Sequence, residues 1–129
     1  MTETREQSIA LSAYSGYFWP VMGDYYTYIL SNKGRTVLYV GVTNGLTKRV
    51  LQHRSGQTES FTQRYHCDRL VYFERFAKPS EAIAREKQLK RWRRQKKEEL
   101  IASQNPPWED LAVAVLGLQP PAGSPWEER

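Results

Sequence analysis

The stretch that decides the fold runs from residue 25 to residue 43 and reads YYTYILSNKGRTVLYVGVT. Two runs of aromatic and β-branched residues, Tyr25–Leu30 and Val37–Thr43, favour β-strands, and the polar residues between them have the composition of a turn. The sequence therefore predicts a β-hairpin. If the hairpin is symmetric about the middle of that turn, Tyr28 lies opposite Tyr39 and both rings leave the same face of the sheet.

The residues after the hairpin predict several helices and a third strand. Leu46 and Val50 have a helical spacing, and on the same helix Arg49 and His53 are i, i+4 neighbours that can act at one place. The predicted elements are, in chain order, a helix over Leu46–Arg54, a loop over Ser55–Asp68, a strand over Leu70–Phe73, a helix over Glu81–Arg93 with Ser80 as its N-cap, a second helical stretch to Ser103 that Asn105-Pro106-Pro107 ends, and a short helix within Trp108–Leu118.

Chain length and composition indicate one domain with two extensions. The 129 residues fit a single hydrophobic core. We expect the domain over residues 24–111, an N-terminal extension over residues 1–23, and a C-terminal extension over residues 112–129 with a disordered Pro-rich tail. The longest apolar run, Leu111–Leu118, is far too short to span a membrane. The single cysteine, Cys67, and the absence of a secretory pattern at the N-terminus favour a cytoplasmic protein.

The charges are distributed unevenly along the chain. The net charge is +5, and residues 46–102 carry fifteen Lys or Arg against seven Asp or Glu. A basic centre indicates a polyanion such as nucleic acid, although basic surfaces also serve solubility. The stretch Arg85–Lys97 has eight basic residues around Trp92. It is either a solvated helical face or a contact with a phosphate backbone, with Trp92 stacking on a base.

Glu86 is the most informative single position. On a helical wheel it falls within the apolar stripe formed by Ala82, Ile83 and Leu89. An ionised carboxylate that turns inward is costly unless it is paired or bound to a cation. The residues leave two interpretations open, which are an ion pair with an arginine and a divalent metal site. The sequence contains no zinc-binding spacing, no glycine-rich phosphate loop and no serine nucleophile elbow.

Taken together, these motifs resemble those of the GIY-YIG nuclease family. Tyr26-Thr27-Tyr28 and then Tyr39-Val40-Gly41 resemble the two half-motifs that name the family. Leu46–Val50 resembles the helix that bears its catalytic arginine, and Glu81–Lys87 resembles the helix that bears its metal-binding glutamate. The resemblance covers residues 24–111. It is closest to the small standalone bacterial members, which are similar to the N-terminal nuclease domain of the excinuclease C subunit.

The resemblance implies an α+β fold, with a three-stranded antiparallel sheet flanked by helices, and it implies a catalytic site. Tyr39 matches the tyrosine commonly assigned as general base toward the attacking water, and Tyr28 would help organise that proton transfer. Arg49 would neutralise the phosphate, and His53 would hydrogen-bond at the nucleophile. Glu86 would be the protein ligand of Mg²⁺ (or Mn²⁺).

The expected function is therefore a metal-dependent DNA nuclease of low sequence specificity, for which DNA repair is one candidate pathway. Residues expected to contact the DNA lie near the site or in the basic stretch: Lys48, Arg54, Lys87, Lys90, Arg91, Trp92 and Arg94. Val42 departs from the excinuclease-like members, which have a lysine there. The alternatives are a non-catalytic nucleic-acid-binding module and an RNA nuclease.

Overall fold

A three-stranded antiparallel sheet, in the order β2-β1-β3, forms the centre of the computed structural model, which describes residues 24–56 and 60–121. The elements are, in chain order, β1 (Tyr25–Ser31), β2 (Leu38–Thr43), α1 (Leu46–Arg54), α2 (Ser60–Tyr65), β3 (Arg69–Phe76), α3 (Pro79–Arg91), α4 (Arg94–Gln104) and α5 (Leu111–Ala114). The helices flank the sheet. The predicted α+β fold is therefore confirmed.

The register of the hairpin differs from the predicted one by two residues. Tyr28 lies opposite Gly41, and Tyr39 lies opposite Leu30. The loop has the predicted length but begins one residue later, over residues 32–37. The side-chain oxygen of Asn32 accepts hydrogen bonds from the backbone N–H groups of the residues at 36 and 37. Since side chains alternate with a period of two, a shift of two residues keeps both tyrosine rings on the same face.

The two faces of the sheet bury separate hydrophobic clusters. On one face, Tyr28 and Leu30 pack with Leu46 and Val50 of α1. On the other face, Ile29 and Val40 pack with Leu89 of α3 and Ile101 of α4. The side chain of Thr27 also joins the sheet to α3, because its hydroxyl donates to the carbonyl oxygen of Ala82 at 2.7 Å. We call these two sides the α1 face and the α3 face.

Three predictions along the helices need correction. The segment predicted as a loop contains α2, which is too short and too polar to give a clear periodic signal. Lys78, not Ser80, is the N-cap of α3, because Pro79 occupies the first helical turn, where its missing N–H costs nothing. Ile83, predicted to lie in the apolar stripe of this helix, is exposed.

The segment after α4 folds back onto the α1 face. Asn105 is the C-cap of α4, at the predicted end of this helix, and its side-chain amide donates to the backbone oxygen of Val71 at 3.0 Å. Asp110 is the N-cap of α5, and its carboxylate accepts from the N–H of Ala112. Ala112 is fully buried in the cluster of the α1 face, so part of the predicted C-terminal extension packs on the domain.

The predicted N-terminal extension (residues 1–23) and most of the predicted tail (residues 122–129) lie outside the described residues. Within the described ranges, no helix has the length and apolar character needed to span a membrane.

Candidate active site

A line of buried polar side chains connects β1, α1 and α2 on the α1 face. The hydroxyl of Tyr28 lies 3.0 Å from Nε2 of His53. Nδ1 of the same ring lies 3.1 Å from the hydroxyl of Thr62. All three side chains are buried. Because a neutral imidazole has one donor and one acceptor nitrogen, the two hydrogen bonds fix the ring and define its tautomer together.

His53 is a neutral side chain at pH 7. Burial, and after it the positive charge of Arg49, lower the pKa of His53 to about 3. Burial favours the neutral imidazole because the charged form loses its hydration, and a neighbouring cation disfavours that form further. His53 can therefore pass or orient a proton near neutral pH, but it carries no charge of its own there.

Gly41 makes room for the ring of Tyr28. A Cβ atom at this position would lie 2.5 Å from both Cζ and Oη of Tyr28. The two residues are direct partners in the sheet, so the ring extends over the backbone of β2 toward His53. The glycine is required here by this close approach, and any larger residue would displace the tyrosine hydroxyl.

Tyr39 lies against the same histidine. Its ring centroid is 5.4 Å from that of His53 and 6.4 Å from that of Tyr28. Tyr39 is partly buried, whereas Tyr28 is fully buried. The structure therefore brings together four of the five residues predicted to be catalytic, since Arg49 also acts on His53 from the same helix. Of the two tyrosines, Tyr39 is the one open to solvent.

Arg49 has an unpaired donor. Its Nε is buried and has no hydrogen-bond partner among the residues that the structure describes, and Nη1 donates to Gln52 at 3.3 Å. A buried charged donor without an acceptor is unfavourable by itself. The arrangement therefore suits an incoming anion, and the planar guanidinium matches a phosphate in geometry and charge.

Glu86 lies on α3, a different helix from the one that carries Arg49 and His53. Its side chain is 13% exposed, and its Oε2 is 2.7 Å from the ammonium group of Lys90. The ion pair left open by the sequence is therefore present, but its partner is a lysine and not an arginine. Leu89 of α3 packs in the cluster of the α3 face, whereas the other four residues predicted to be catalytic group around His53.

A single carboxylate can hold Mg²⁺ only if water and substrate oxygens supply the other ligands. Mg²⁺ keeps several waters and often takes one or two carboxylates together with substrate phosphates. Within residues 24–56 and 60–121 there is no group of three or more His, Cys, Asp or Glu that could enclose a metal ion. Glu86 therefore fits a hydrated Mg²⁺ that also binds substrate oxygens, and it does not fit a metal held by protein ligands alone.

The residues predicted to contact DNA fall into two groups. Four of them are exposed cations, which are Lys48 on α1 and Lys87, Lys90 and Arg91 on α3. The other three, Arg54, Trp92 and Arg94, have contacts within the fold.

Arg54 and Arg94 use their guanidinium groups to hold the fold together. Arg54 pairs with Asp110 and donates to two backbone oxygens, and its side chain is almost completely buried. Arg94 pairs with Glu98 and donates to backbone oxygens in the hairpin loop. We therefore do not expect either side chain to be a principal DNA contact.

Trp92 is partly buried against the cluster of the α3 face. The guanidinium of Arg85 lies 5.2 Å from the centroid of its ring, and the ammonium group of Lys96 lies 4.3 Å from it. Both are within the range of a cation–π contact. These contacts hold the ring in the fold and leave less of it available to a base.

Sequence reasoning missed Thr62 and the packing role of Gly41. Thr62 is 2% exposed and is the second hydrogen-bond partner of His53. It comes from a segment predicted as a loop, so no periodic pattern marked it. Gly41 belonged to a recognised motif, and its close approach to Tyr28 depends on the register of the hairpin. Cys67 is buried in the core, and burial raises the pKa of its thiol to about 11.

A family model described as the GIY-YIG catalytic domain matches residues 24–99. The chain belongs to this family, and the resemblance seen in the sequence is confirmed.

Relatives of the chain carry the name UPF0213. A UPF0213 protein of Natronomonas pharaonis is 38% identical over 63% of this chain and 94% of its own length. One from Staphylococcus saprophyticus is 38% identical over 63% of this chain and 98% of its own length. A solution NMR structure of a UPF0213 protein from Bacillus halodurans is 30% identical, covers 71% of this chain and 97% of that one, and has a TM-score of 0.45. The name UPF0213 states no activity.

Proposed function

We propose that this protein is a metal-dependent nuclease that hydrolyses phosphodiester bonds in DNA with low sequence specificity. The observation that carries the proposal is the group on the α1 face. A solvent-open tyrosine, Tyr39, lies beside a fixed neutral histidine, His53, and an arginine with an unpaired buried donor, Arg49, lies next to them. Membership of the GIY-YIG catalytic domain family supports the same reaction class.

In this proposal Tyr39 removes a proton from the attacking water. A phenol has an ordinary pKa of about 10, so it is a weak base near pH 7 unless positive charge favours the phenolate. Arg49 supplies such a charge from the neighbouring helix. The 3.0 Å contact between the Tyr28 hydroxyl and His53 fixes the two polar side chains that lie beside Tyr39. The neutral state of His53 leaves Arg49 as the cation of this group.

Arg49 also binds the scissile phosphate. Negative charge develops on the phosphoryl oxygens during the attack, and a preorganised donor in a partly buried site stabilises it strongly. The unpaired Nε of Arg49 provides one donor in that environment. The neighbouring Lys48, which is exposed on the same helix, would contact the phosphate backbone without a role in the reaction.

Glu86 would hold a Mg²⁺ or Mn²⁺ ion together with substrate oxygens. The ion would stabilise the charge on the departing 3′ oxygen. In this chain Glu86 must first exchange its ion pair with Lys90 for the metal. Because Lys90 is 54% exposed, its side chain can turn into solvent when that exchange takes place.

The same ion pair favours a second candidate, which is a nucleic-acid-binding module without turnover. If Glu86 serves only to neutralise Lys90, no carboxylate remains for the metal and the α1 face would bind phosphate without cutting. An RNA nuclease is a third possibility for the same group of side chains, because none of the contacts at His53 distinguishes ribose from deoxyribose.

The test is cleavage of end-labelled single-stranded, duplex and branched DNA, and of RNA, with Mg²⁺, with Mn²⁺ and with EDTA. We expect metal-dependent cutting of DNA that is lost in Arg49→Ala and Glu86→Ala variants with wild-type folding. Lys90→Ala is the matched control for Glu86→Ala, since it removes the ion pair but keeps the carboxylate, and it should still cut DNA when the protein is saturating, even if its DNA affinity is lower. Binding without cutting in every condition would support the non-catalytic module.

A further inference from the structure

Helix α2 carries exposed aromatic rings directly beside the candidate active site. The ring of Phe61 lies 6.1 Å from that of Tyr39 and 4.9 Å from that of Tyr65, measured between centroids. Phe61 is 42% exposed and Tyr65 is 40% exposed. The three rings therefore form a continuous row that begins at the proposed general base and runs outward along α2. We call it the aromatic row.

The two exposed rings lie on one side of α2. Phe61 and Tyr65 are i, i+4 neighbours, so they share one side of α2. Thr62, the next residue after Phe61, is buried against His53. Helix α2 therefore buries this threonine beside the histidine while Phe61 and Tyr65 stay exposed. Exposed aromatic rings grouped in this way mark an interaction site more often than isolated ones do.

The charge around the aromatic row is positive. Helices α1 and α2 contain no Asp or Glu, and besides Arg54, which pairs with Asp110, they carry Lys48, Arg49 and Arg64. Arg64 is exposed, and its guanidinium lies 5.6 Å from the centroid of the Tyr65 ring. A partner for this surface therefore needs flat apolar groups together with negative charge. Unpaired nucleotides combine the two, because each has a base with two π faces and a phosphate.

We propose that the aromatic row Tyr39–Phe61–Tyr65 is a stacking platform for unpaired bases of single-stranded DNA next to the scissile phosphate. This inference rests on the proposed function and narrows its substrate to single strands or frayed ends. In a duplex each base is covered by its neighbours in the stack, so only a flanking nucleotide that has left the stack can contact the row. The row also explains how a domain of this size orients DNA without reading its sequence, since stacking accepts every base.

The test is binding of a fluorescently labelled single-stranded oligonucleotide and of the matching duplex, measured by anisotropy in EDTA so that no cutting occurs. The variant Phe61→Leu/Tyr65→Leu keeps the apolar bulk and removes both rings. We expect it to bind the single strand about ten-fold more weakly and the duplex less than about two-fold more weakly. An equal loss for both ligands, or no loss for the single strand, would overturn the platform.

Two control variants define the role of the rings. Leu51→Ala removes an apolar side chain that is 49% exposed on α1 but is not part of the row, and it should leave both affinities within about two-fold. Phe61→Tyr/Tyr65→Phe restores aromatic rings at both positions and should bind like the wild type. If the double leucine variant does not fold, Phe61→Leu alone should still show a selective loss of about three-fold or more.

Because binding is measured in EDTA, the platform and the nuclease can fail separately. Selective single-strand binding that depends on both rings, with no cutting in Mg²⁺, would overturn the proposed function and leave the platform intact. Metal-dependent cutting with equal preference for duplex and single strand, unchanged by loss of the rings, would leave the nuclease intact and overturn the platform.

Discussion

The two faces of the sheet differ in whether their charged side chains are paired with opposite charges. On the α3 face, Arg85 donates to Glu74 at 3.0 and 2.9 Å. The hydroxyl of Tyr72 donates to the same carboxylate. On the α1 face, Arg49 has an unpaired buried donor and the neighbouring histidine is neutral.

This difference separates charges that support the fold from charges that can act on a ligand. A paired guanidinium such as that of Arg85 has its charge compensated, and its pKa is raised mainly by the hydrogen bonds to Glu74. Removal of such a residue affects stability first. The charge of Arg49 is not compensated within the described fold, so an anion gains most by binding there. The predictions below test this distinction.

The largest expected effect is the fall in the rate of DNA cleavage in the Tyr39→Phe variant. Loss of a general base lowers the rate by roughly 10²- to 10⁴-fold. Single-turnover cleavage of labelled DNA at saturating protein measures it. Tyr65→Phe is the matched control, because it removes the same hydroxyl from the exposed end of the aromatic row and should cut at nearly the wild-type rate. Full activity of Tyr39→Phe would contradict the assignment.

Arg54 lies on the α1 face but, unlike Arg49, its guanidinium is paired. Arg54→Ala tests what this pairing contributes to stability. Its loss leaves the carboxylate of Asp110, which is 12% exposed, without its cation. Breaking a buried ion pair in this way costs about 3–5 kcal/mol of the free energy of unfolding. Urea denaturation measures it. Arg64 is exposed, so Arg64→Ala should change this free energy by less than about 0.5 kcal/mol. An equal loss of unfolding free energy in the two variants would contradict a structural role for the Arg54–Asp110 pair.

Gly41→Ala tests the close approach of Tyr28 to β2. The added Cβ, 2.5 Å from the tyrosine hydroxyl, forces the ring to move and breaks its contact with His53. Overpacking of this kind costs about 1–3 kcal/mol. We expect a lower melting temperature together with reduced cleavage. Gly34→Ala, at a glycine in the hairpin loop whose added Cβ would meet nothing closer than 3.9 Å, is the control.

A further prediction, which changes no side chain, is the pH dependence of stability that comes from His53. Its pKa in the folded protein, about 3, lies below the ordinary value near 6.5. The unfolded chain therefore binds more protons between these values, and the stability that His53 contributes above pH 6.5 is lost as the pH falls toward 3. The slope approaches about 1.4 kcal/mol per pH unit.

Comparison of the wild type with His53→Gln between pH 7 and pH 4.5 isolates this contribution, because other titrating groups such as Asp68 remain in both proteins. The difference in unfolding free energy should narrow or reverse as the pH falls. A difference that stays constant with pH would mean that His53 is not buried in its neutral form.

The sequence predicted the face of each hairpin tyrosine but not the pairing. Alternation along a strand is a local property, so Tyr28 and Tyr39 could be assigned to one face from their positions alone. The register depended on where the loop begins, which is at Asn32, whose side chain binds two backbone N–H groups of that loop. A turn composition does not reveal which of its polar side chains will do so.

The site was predictable where its residues belong to the motif, and not where they depend on distant contacts. Arg49 and His53 followed from helical spacing, and α1 has the predicted bounds. Thr62 could not be predicted because its burial comes from contact with His53, nine positions earlier in the chain. The pairing of Arg54 with Asp110 likewise joins residues 56 positions apart. Both depend on the packing of the whole domain.

The most direct test of the central claim compares two arginines. Arg49→Ala should lower the rate of metal-dependent DNA cleavage by roughly 10²- to 10³-fold, because it removes a donor to the phosphate. Arg85→Ala removes the same side chain from the α3 face and should lower the melting temperature while the rate, measured well below that temperature, stays within a few fold. An equal loss of rate in both variants, or no loss in Arg49→Ala, would contradict the proposal that Arg49 binds the scissile phosphate.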